Sequence, residues 1–503
     1  CLQRMAEAPQ HGLQLAPQPE KLVVEHSSPN TNKPLHLGHM RTTFLGDAVA
    51  RICKAAGYTT HVVCLFNDKG IHVCKSMLAW QRFANGATPT SSGIKGDHFV
   101  GKWYVAFDKA YREEVKALME SQGLDEETAK AQAPLMQAAQ DMYRRWEAGD
   151  PEVLALWQTM NSWVYSGFEQ TYARIGVAFD KYYYESETWK LGKAVVEDGL
   201  AKGVFTRQED GSVWIDLTDV NLDRKLVLRR DGTSVYITQD LGTADLRYQD
   251  YGMNRSVYVI GNEQDYHMQV LKEILKRLGR SYADGMYHLS YGMIDLPSGK
   301  MKSREGTVVD ADDLLEEMYQ TAKQATEELG KTEGMADDAL HTLYETLALG
   351  ALKYYILKVD PARRMLFNPQ ESIDFKGHTG TFIQYTHARI HGILRKGAES
   401  HPGAVSAPFE APASLLPEEK ALLKRLADWP EALMAAAQGY NPALVANYCY
   451  ELSKDYSRFH YEVPVLKAET PALLSFRLRL NAQVARTLHF GMGLLGIAMP
   501  DRM

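Results

Sequence analysis

The stretch Ser27-Ser28-Pro29-Asn30-Thr31-Asn32-Lys33-Pro34-Leu35-His36-Leu37-Gly38-His39 lies between two patterned runs. Leu22-Val23-Val24 before it is apolar and β-rich, and Phe44, Ala48, Ile52 and Ala56 after it recur at helical spacing until Gly57. His39 therefore sits near the N-terminus of a helix that follows a strand. Unpaired backbone N–H groups and the positive end of the helix dipole attract a phosphate at such a place. His36 and His39 add imidazole donors and Lys33 adds a point charge. Gly38 lets a ribose or a ring approach the backbone, while Pro29 and Pro34 stiffen the loop. The set reads as a nucleotide-phosphate site that stabilises transition-state charge and supplies no nucleophile. With 16 His and 38 Gly in 503 residues, His-x-Gly-His is expected by chance about 0.04 times, so coincidence is a poor account of it. The plain alternative is a pair of helix-capping histidines in a core turn.

A chain of 503 residues, 45% apolar and 24% charged, has room for two or three globular domains with sizeable cores. A net charge of -7 argues against generic electrostatic adhesion to nucleic acid, so any such binding must use local basic patches and shape. Cys1, Cys53, Cys64, Cys74 and Cys449 contain no C-x-x-C pair, which points to a reducing, cytoplasmic setting and to no structural zinc or other protein-held metal. No apolar run has transmembrane length, and neither a membrane partner nor a signal peptide is expected.

Taken in order, residues 1–20 read as a polar tail. Residues 21–335 form an α/β domain with a Rossmann-like parallel sheet, interrupted at about 71–190 by a helix-rich, aromatic insertion. Residues 336–503 form an all-α bundle. His61-Val62-Val63-Cys64-Leu65-Phe66 and Ser256-Val257-Tyr258-Val259-Ile260-Gly261 read as buried strands, and polar residues gather beyond the carboxyl end of the second, at Gln264 and His267. Val213-Trp214-Ile215-Asp216-Leu217 and Lys225-Leu226-Val227-Leu228 are further strands. Tyr236 and Asp240 flank a strand-to-helix turn. The loop at 298–307 carries Lys300, Lys302 and Arg304 and suits a polyphosphate leaving group.

These motifs together resemble the arginyl-tRNA synthetases of class I, from about residue 21 to the end. The resemblance rests on Val24-Glu25-His26-Ser27-Ser28-Pro29-Asn30 leading into His36-Leu37-Gly38-His39, on Tyr236-Ile237-Thr238-Gln239-Asp240, on Gln264-Asp265-Tyr266-His267, on the loop from Met301 to Val309, and on Gly491-Met492-Gly493-Leu494-Leu495-Gly496-Ile497. It implies that ATP, accompanied by Mg²⁺, meets His36, Gly38 and His39, with His267, Met293, Met301 and Ser303 on the nucleotide side. It implies that Glu25, Asn30, Tyr236, Asp240 and Gln264 hold L-arginine, and that Lys33 shares the phosphate role with Lys302. Activation would pass through arginyl-adenylate, with pyrophosphate released and the arginyl group passed to tRNA(Arg). A guanidinium is planar, permanently charged and rich in donors, which agrees with carboxylates and amides at these positions. The resemblance further implies that the C-terminal bundle binds the anticodon, with Arg389, Arg395, Lys396, Arg458 and Arg486 toward phosphates and Tyr456, Phe459 and Tyr461 toward bases. It implies a monomer that lacks most of the family's N-terminal module. Two rival readings stand beside it: another adenylate-forming class I enzyme or a related nucleotidyltransferase, and a catalytically silent RNA-binding protein on the same fold.

Overall fold

The computed structural model describes residues 20–295, 309–328, 330, 334–404, 412 and 414–503, together with Leu2 and Met5. The stretch read as a tail, and Met301, Lys302 and Ser303 of the basic loop, lie outside the described residues, apart from Leu2, which is buried, Met5 and Glu20.

The first strand, β1 (Lys21–Glu25), leads through the loop quoted above into helix α1 (Leu37–Ala55), and β2 (Thr59–Phe66) follows. Helices then run to Ile175, including α2 (Gly96–Gln122) and α3 (Pro151–Ile175), before the chain returns to the sheet as β3 (Lys181–Tyr184). Strands β4 (Thr206–Arg207), β5 (Val213–Ile215) and β6 (Lys225–Leu228) form a separate antiparallel sheet. Helix α4 (Tyr236–Tyr251), β7 (Arg255–Gly261), α5 (Asp265–Arg277) and β8 (Met286–Tyr291) complete the main sheet. Its order is β3-β2-β1-β7-β8 and all four pairings are parallel.

This order has a direct consequence for binding. The chain moves outward from β1 to β3, then crosses back to lay β7 on the other side of β1, so the connections diverge between β1 and β7. In an open parallel sheet the crevice at that switch point, beyond the carboxyl ends of the strands, receives the ligand. Alternation along β1 explains why the sheet is covered on both faces. Leu22 and Val24 enter one core, which includes α1, while Val23 enters a second, built with α4 and α5.

The helical insertion therefore ends at Ile175, and the reading that carried it to residue 190 is corrected by β3. Lys181-Tyr182-Tyr183-Tyr184 continues the aromatic character of the preceding helices and carries no Val or Ile run, so composition conceals the strand. The tryptophans of the insertion are packed inside it: Trp103 and Trp146 are buried, and Trp80 meets Trp163 edge to face.

After helix α6 (Ala311–Glu328), the C-terminal part is a bundle of helices Asp337–Leu357, Gly380–Ser400, Pro417–Ala427, Trp429–Gln438, Pro442–Glu462 and Pro471–Leu494. The buried Lys353 ties this bundle to the rest, donating to the carbonyls of Ile175 and Gly496 at 2.7 and 2.6 Å. No helix among the described residues is long and apolar enough to cross a membrane. Two bundle expectations are reversed. Tyr456 and Phe459 are fully buried, with the Tyr456 hydroxyl donating to Asn481 at 2.6 Å, so they are core and do not stack on bases. Tyr461 alone of the three is open, at 86% exposure.

Candidate active site

At the switch point lies a cleft of about 480 Å³. It is lined by Glu25, Asn30, His36, Gly38, His39, Tyr236, Asp240, Gln264, His267 and Met293, so ten residues singled out from sequence share one cavity. Lys33 is apart from it. Lys33 lines a neighbouring cavity of about 200 Å³ that shares only the His36 border with the cleft.

The loop leaving β1 is held in an unfavourable backbone shape. Ser27 and Ser28 have φ of 67° and 43°, the left-handed region that costs a non-glycine residue energy. Side chains hold both in place: the Ser27 and Tyr172 hydroxyls are 2.6 Å apart, Ser28 donates to Glu25 at 2.9 Å, and the Leu65 N–H donates to Ser28 at 3.2 Å. Asn30 then pairs with Asn67 beyond the end of β2. The strained turn directs the chain across the sheet ends into α1.

At the start of α1 the capping and functional readings of the histidines coincide. His36 is the N-cap: its Nδ1 accepts the Gly38 N–H at 3.1 Å, and the His39 Nδ1 accepts the His36 N–H at 3.2 Å. An acceptor Nδ1 requires the proton of a neutral ring to be on Nε2. Burial, reinforced by the charge of Lys33, lowers the His36 pKa to about 3. Burial, then His36 and Lys33, hold His39 well below the usual histidine range. The two rings, 3.9 Å apart between centroids, thus present neutral Nε2–H donors beside the helix N-terminus. This arrangement stabilises an anion without a proton transfer.

The second wall comes from α4 and α5, on the opposite face of the sheet. Asp240 lies in the second turn of α4 and its carboxylate is 2.6 Å from the His267 Nε2, while Tyr236, 63% exposed, packs edge-on to the His267 ring. His267 stands with Asp240 and Tyr236, because the first turn of α5 directs it toward α4. Burial raises the Asp240 pKa, and the bond from His267 opposes that rise.

Glu25 is also engaged more fully than the sequence suggests. Its Oε2 accepts from Arg247 at 2.6 Å with both side chains buried, and its Oε1 accepts from Ser28. Arg247 was missed, although Tyr236, Asp240, Thr243 and Arg247 at i, i+4, i+7 and i+11 form one polar stripe on a helix. Glu185, just after β3, does not line the cleft. Burial and then the nearby Asp68 push it up to about 7, with Asp240 also contributing.

Two carboxylates of the cleft are already engaged, Glu25 by Arg247 and Asp240 by His267, and the third, Glu263, lines the same cavity. The two His/Asp groups with metal-like spacing among the described residues lie elsewhere, and one of them, Asp97, His98 and Asp312, already contains the Lys95 ammonium.

A parallel sheet with its cleft at the switch point, a His-x-Gly-His turn opening α1, and a helical bundle behind it define a class I aminoacyl-tRNA synthetase. Comparison with known proteins sharpens this. Residues 4–368 match the model for tRNA synthetases class I (R), catalytic domain, and residues 383–503 match the DALR anticodon binding domain. The chain is 56% identical over 484 residues to the arginine–tRNA ligase of Amoebophilus asiaticus, covering 96% of this chain and 81% of that protein. It is 53% identical over 497 residues to that of Bacteroides thetaiotaomicron, covering 98% and 83%. The Thermus thermophilus arginyl-tRNA synthetase shares the fold, with a TM-score of 0.80 at 24% identity over 100% of this chain and 85% of that one. The chain belongs to the arginyl-tRNA synthetase family and joins arginine to tRNA at the expense of ATP.

Proposed function

We propose that the two walls of the cleft divide the substrates of this ligation between them. The His36–Gly38–His39 turn holds the ATP phosphates, with Met293 beside the adenosine. Asp240, Tyr236, Asn30 and Gln264 hold L-arginine, and His267 orients Asp240. Glu25, neutralised by Arg247, offers acceptor lone pairs to the substrate's α-ammonium without adding net charge. Asp240 supplies the negative charge for the guanidinium. The arginine carboxylate attacks the α-phosphorus, pyrophosphate leaves, and the neutral Nε2–H donors meet the charge that builds on the phosphoryl oxygens. The terminal ribose hydroxyl of tRNA(Arg) then takes the arginyl group and AMP departs.

The single observation that carries this reading is that one cleft joins neutral imidazoles on a helix N-terminus to a carboxylate in the facing helix. Mg²⁺ would arrive on the triphosphate oxygens, since Glu25 and Asp240 are bonded to Arg247 and His267. Lys33 and Lys302 would complete the phosphate site, Lys302 with Met301 and Ser303 from a loop outside the described residues. The protein acts as a monomer in this account. It works in the cytoplasm, in keeping with Cys53, Cys64, Cys74 and Cys449, all buried and unpaired. Asn30→Ala tests the division of walls: in tRNA-supported pyrophosphate exchange the KM for arginine rises about tenfold while that for ATP stays level. An equal rise in both would contradict it.

A further inference from the structure

Outside the cleft, five charged side chains and a threonine converge where three distant segments meet. Lys95 Nζ donates to Asp312 Oδ2 at 2.6 Å, to the Thr171 hydroxyl at 2.5 Å and to Asp97 Oδ2 at 3.3 Å. His98 Nε2 lies 2.9 Å from Asp312 Oδ2 and 3.5 Å from Asp310 Oδ1, and Thr171 donates to Asp312 Oδ1 at 3.0 Å. Lys95 and His98 belong to the start of α2, Thr171 to α3 and Asp312 to the first turn of α6. Both oxygens of Asp312 are thus occupied from the insertion.

The segment that Asp312 anchors lies directly against the phosphate turn. Asp310 caps α6, accepting the Asp312 N–H at 2.8 Å, and pairs antiparallel with His36. The Leu37 N–H donates to the Val309 carbonyl at 3.0 Å, and the Ala311 N–H donates to the Leu35 carbonyl at 3.0 Å. A second brace comes from α2 itself: a side chain at Gly101 would come within 2.7 Å of Pro34 Cδ, so the helix and the loop touch there. His36 is therefore flanked by α6 on one side and α2 on the other. Asp312 is the point at which those two helices are fastened together.

We propose that Asp312, clamped by Lys95, His98 and Thr171, is a positioning residue for adenylate formation. It sets the Val309–Ala311 segment against Leu35–Leu37 and thereby aims the Nε2–H groups of His36 and His39. The proposal rests on the reading that these histidines serve ATP. Burial raises the Asp312 carboxyl, but the bonds from His98 and Lys95 overcome it and hold the group well below the usual carboxylate range. The clamp is therefore charged throughout the physiological range. Misplacing a transition-state donor by about 1 Å costs on the order of a hundredfold in rate, so small displacements of the turn register in kcat.

Asp312→Asn removes the charge and keeps the shape. Thr171→Val removes a hydroxyl from a buried position, and Thr171→Ser restores it. We measure kcat and KM for ATP and for arginine in tRNA-supported exchange, tRNA affinity, and melting temperature, with His39→Ala alongside. Asp312→Asn is expected to lower kcat about 10–30-fold with arginine KM and tRNA affinity within about twofold. Thr171→Val follows at about 3–5-fold, and Thr171→Ser returns to the wild-type rate. If His39→Ala slows exchange but Asp312→Asn and Thr171→Val do not, the clamp is overturned and the ATP reading stands. Rate losses that only track the folded fraction, or that Thr171→Ser fails to restore, overturn it as well. If His39→Ala leaves the rate unchanged, the reading on which the clamp rests has failed first.

Discussion

The two walls of the cleft are built on different principles. On the imidazole wall the bonds that orient the rings are local: His36 and His39 are three residues apart and cap their own helix. On the carboxylate wall the fixing bonds span the chain, with Arg247 reaching Glu25 across 222 positions and His267 reaching Asp240 across 27. A local device can be written as a short motif and can bind a phosphate wherever a strand feeds a helix. In the proposed reading, recognition of a guanidinium requires the sheet to be assembled first, because the residues that would position its carboxylate and acceptor oxygens come from separate strands and helices.

The largest expected effect breaks the carboxylate wall at its buried pair. Arg247→Met removes the guanidinium that lies over Tyr183 and Tyr258 and leaves the buried Glu25 without its ion-pair partner, and stability falls by about 3–5 kcal/mol, read as a lower denaturation midpoint. Little change would mean that Glu25 is accommodated without its partner. On the imidazole wall, His39→Ala removes one donor and lowers kcat for adenylate formation about a hundredfold, with tRNA affinity within twofold. Filter binding and exchange on the same preparation check both halves.

The smallest effect concerns buried histidines outside the two walls. His26, with both ring nitrogens unpaired, and His387 are almost fully buried, and burial lowers their pKa values to about 3 and about 4. Both stay neutral when folded but take up a proton on unfolding below the ordinary value of 6.5. Stability is therefore complete above about pH 6.5 and falls as the pH drops toward 4. Each costs about 1.4 kcal/mol by pH 5.5, seen as a lower melting temperature that His26→Gln partly removes.

The same contrast separates what was legible in the sequence from what was not. The strands at Lys21–Glu25, Thr59–Phe66 and Arg255–Gly261 and the start of α1 were readable, because apolar runs, periodicity and capping chemistry are encoded within a few residues. The shared lining of the cleft followed, since strand ends in a parallel sheet converge by topology. What escaped was pairing. Nothing near Glu25 announces Arg247, and nothing near Asp312 announces Lys95. The edge strand Lys181–Tyr184 was hidden by its aromatic composition. Direction within the bundle was equally hidden: Arg477 of the last helix is buried against Glu419 at 2.8 Å. Helical periodicity shows which residues share a face, and only packing decides where that face turns.

The most direct test of the division between walls is the pair of KM values for Asp240→Asn in tRNA-supported pyrophosphate exchange. The account predicts that the arginine KM rises about a hundredfold, as befits loss of a charged partner to a guanidinium, while the ATP KM moves less than about twofold. An ATP KM that rises in step with the arginine KM, or an arginine KM that does not move, would contradict it.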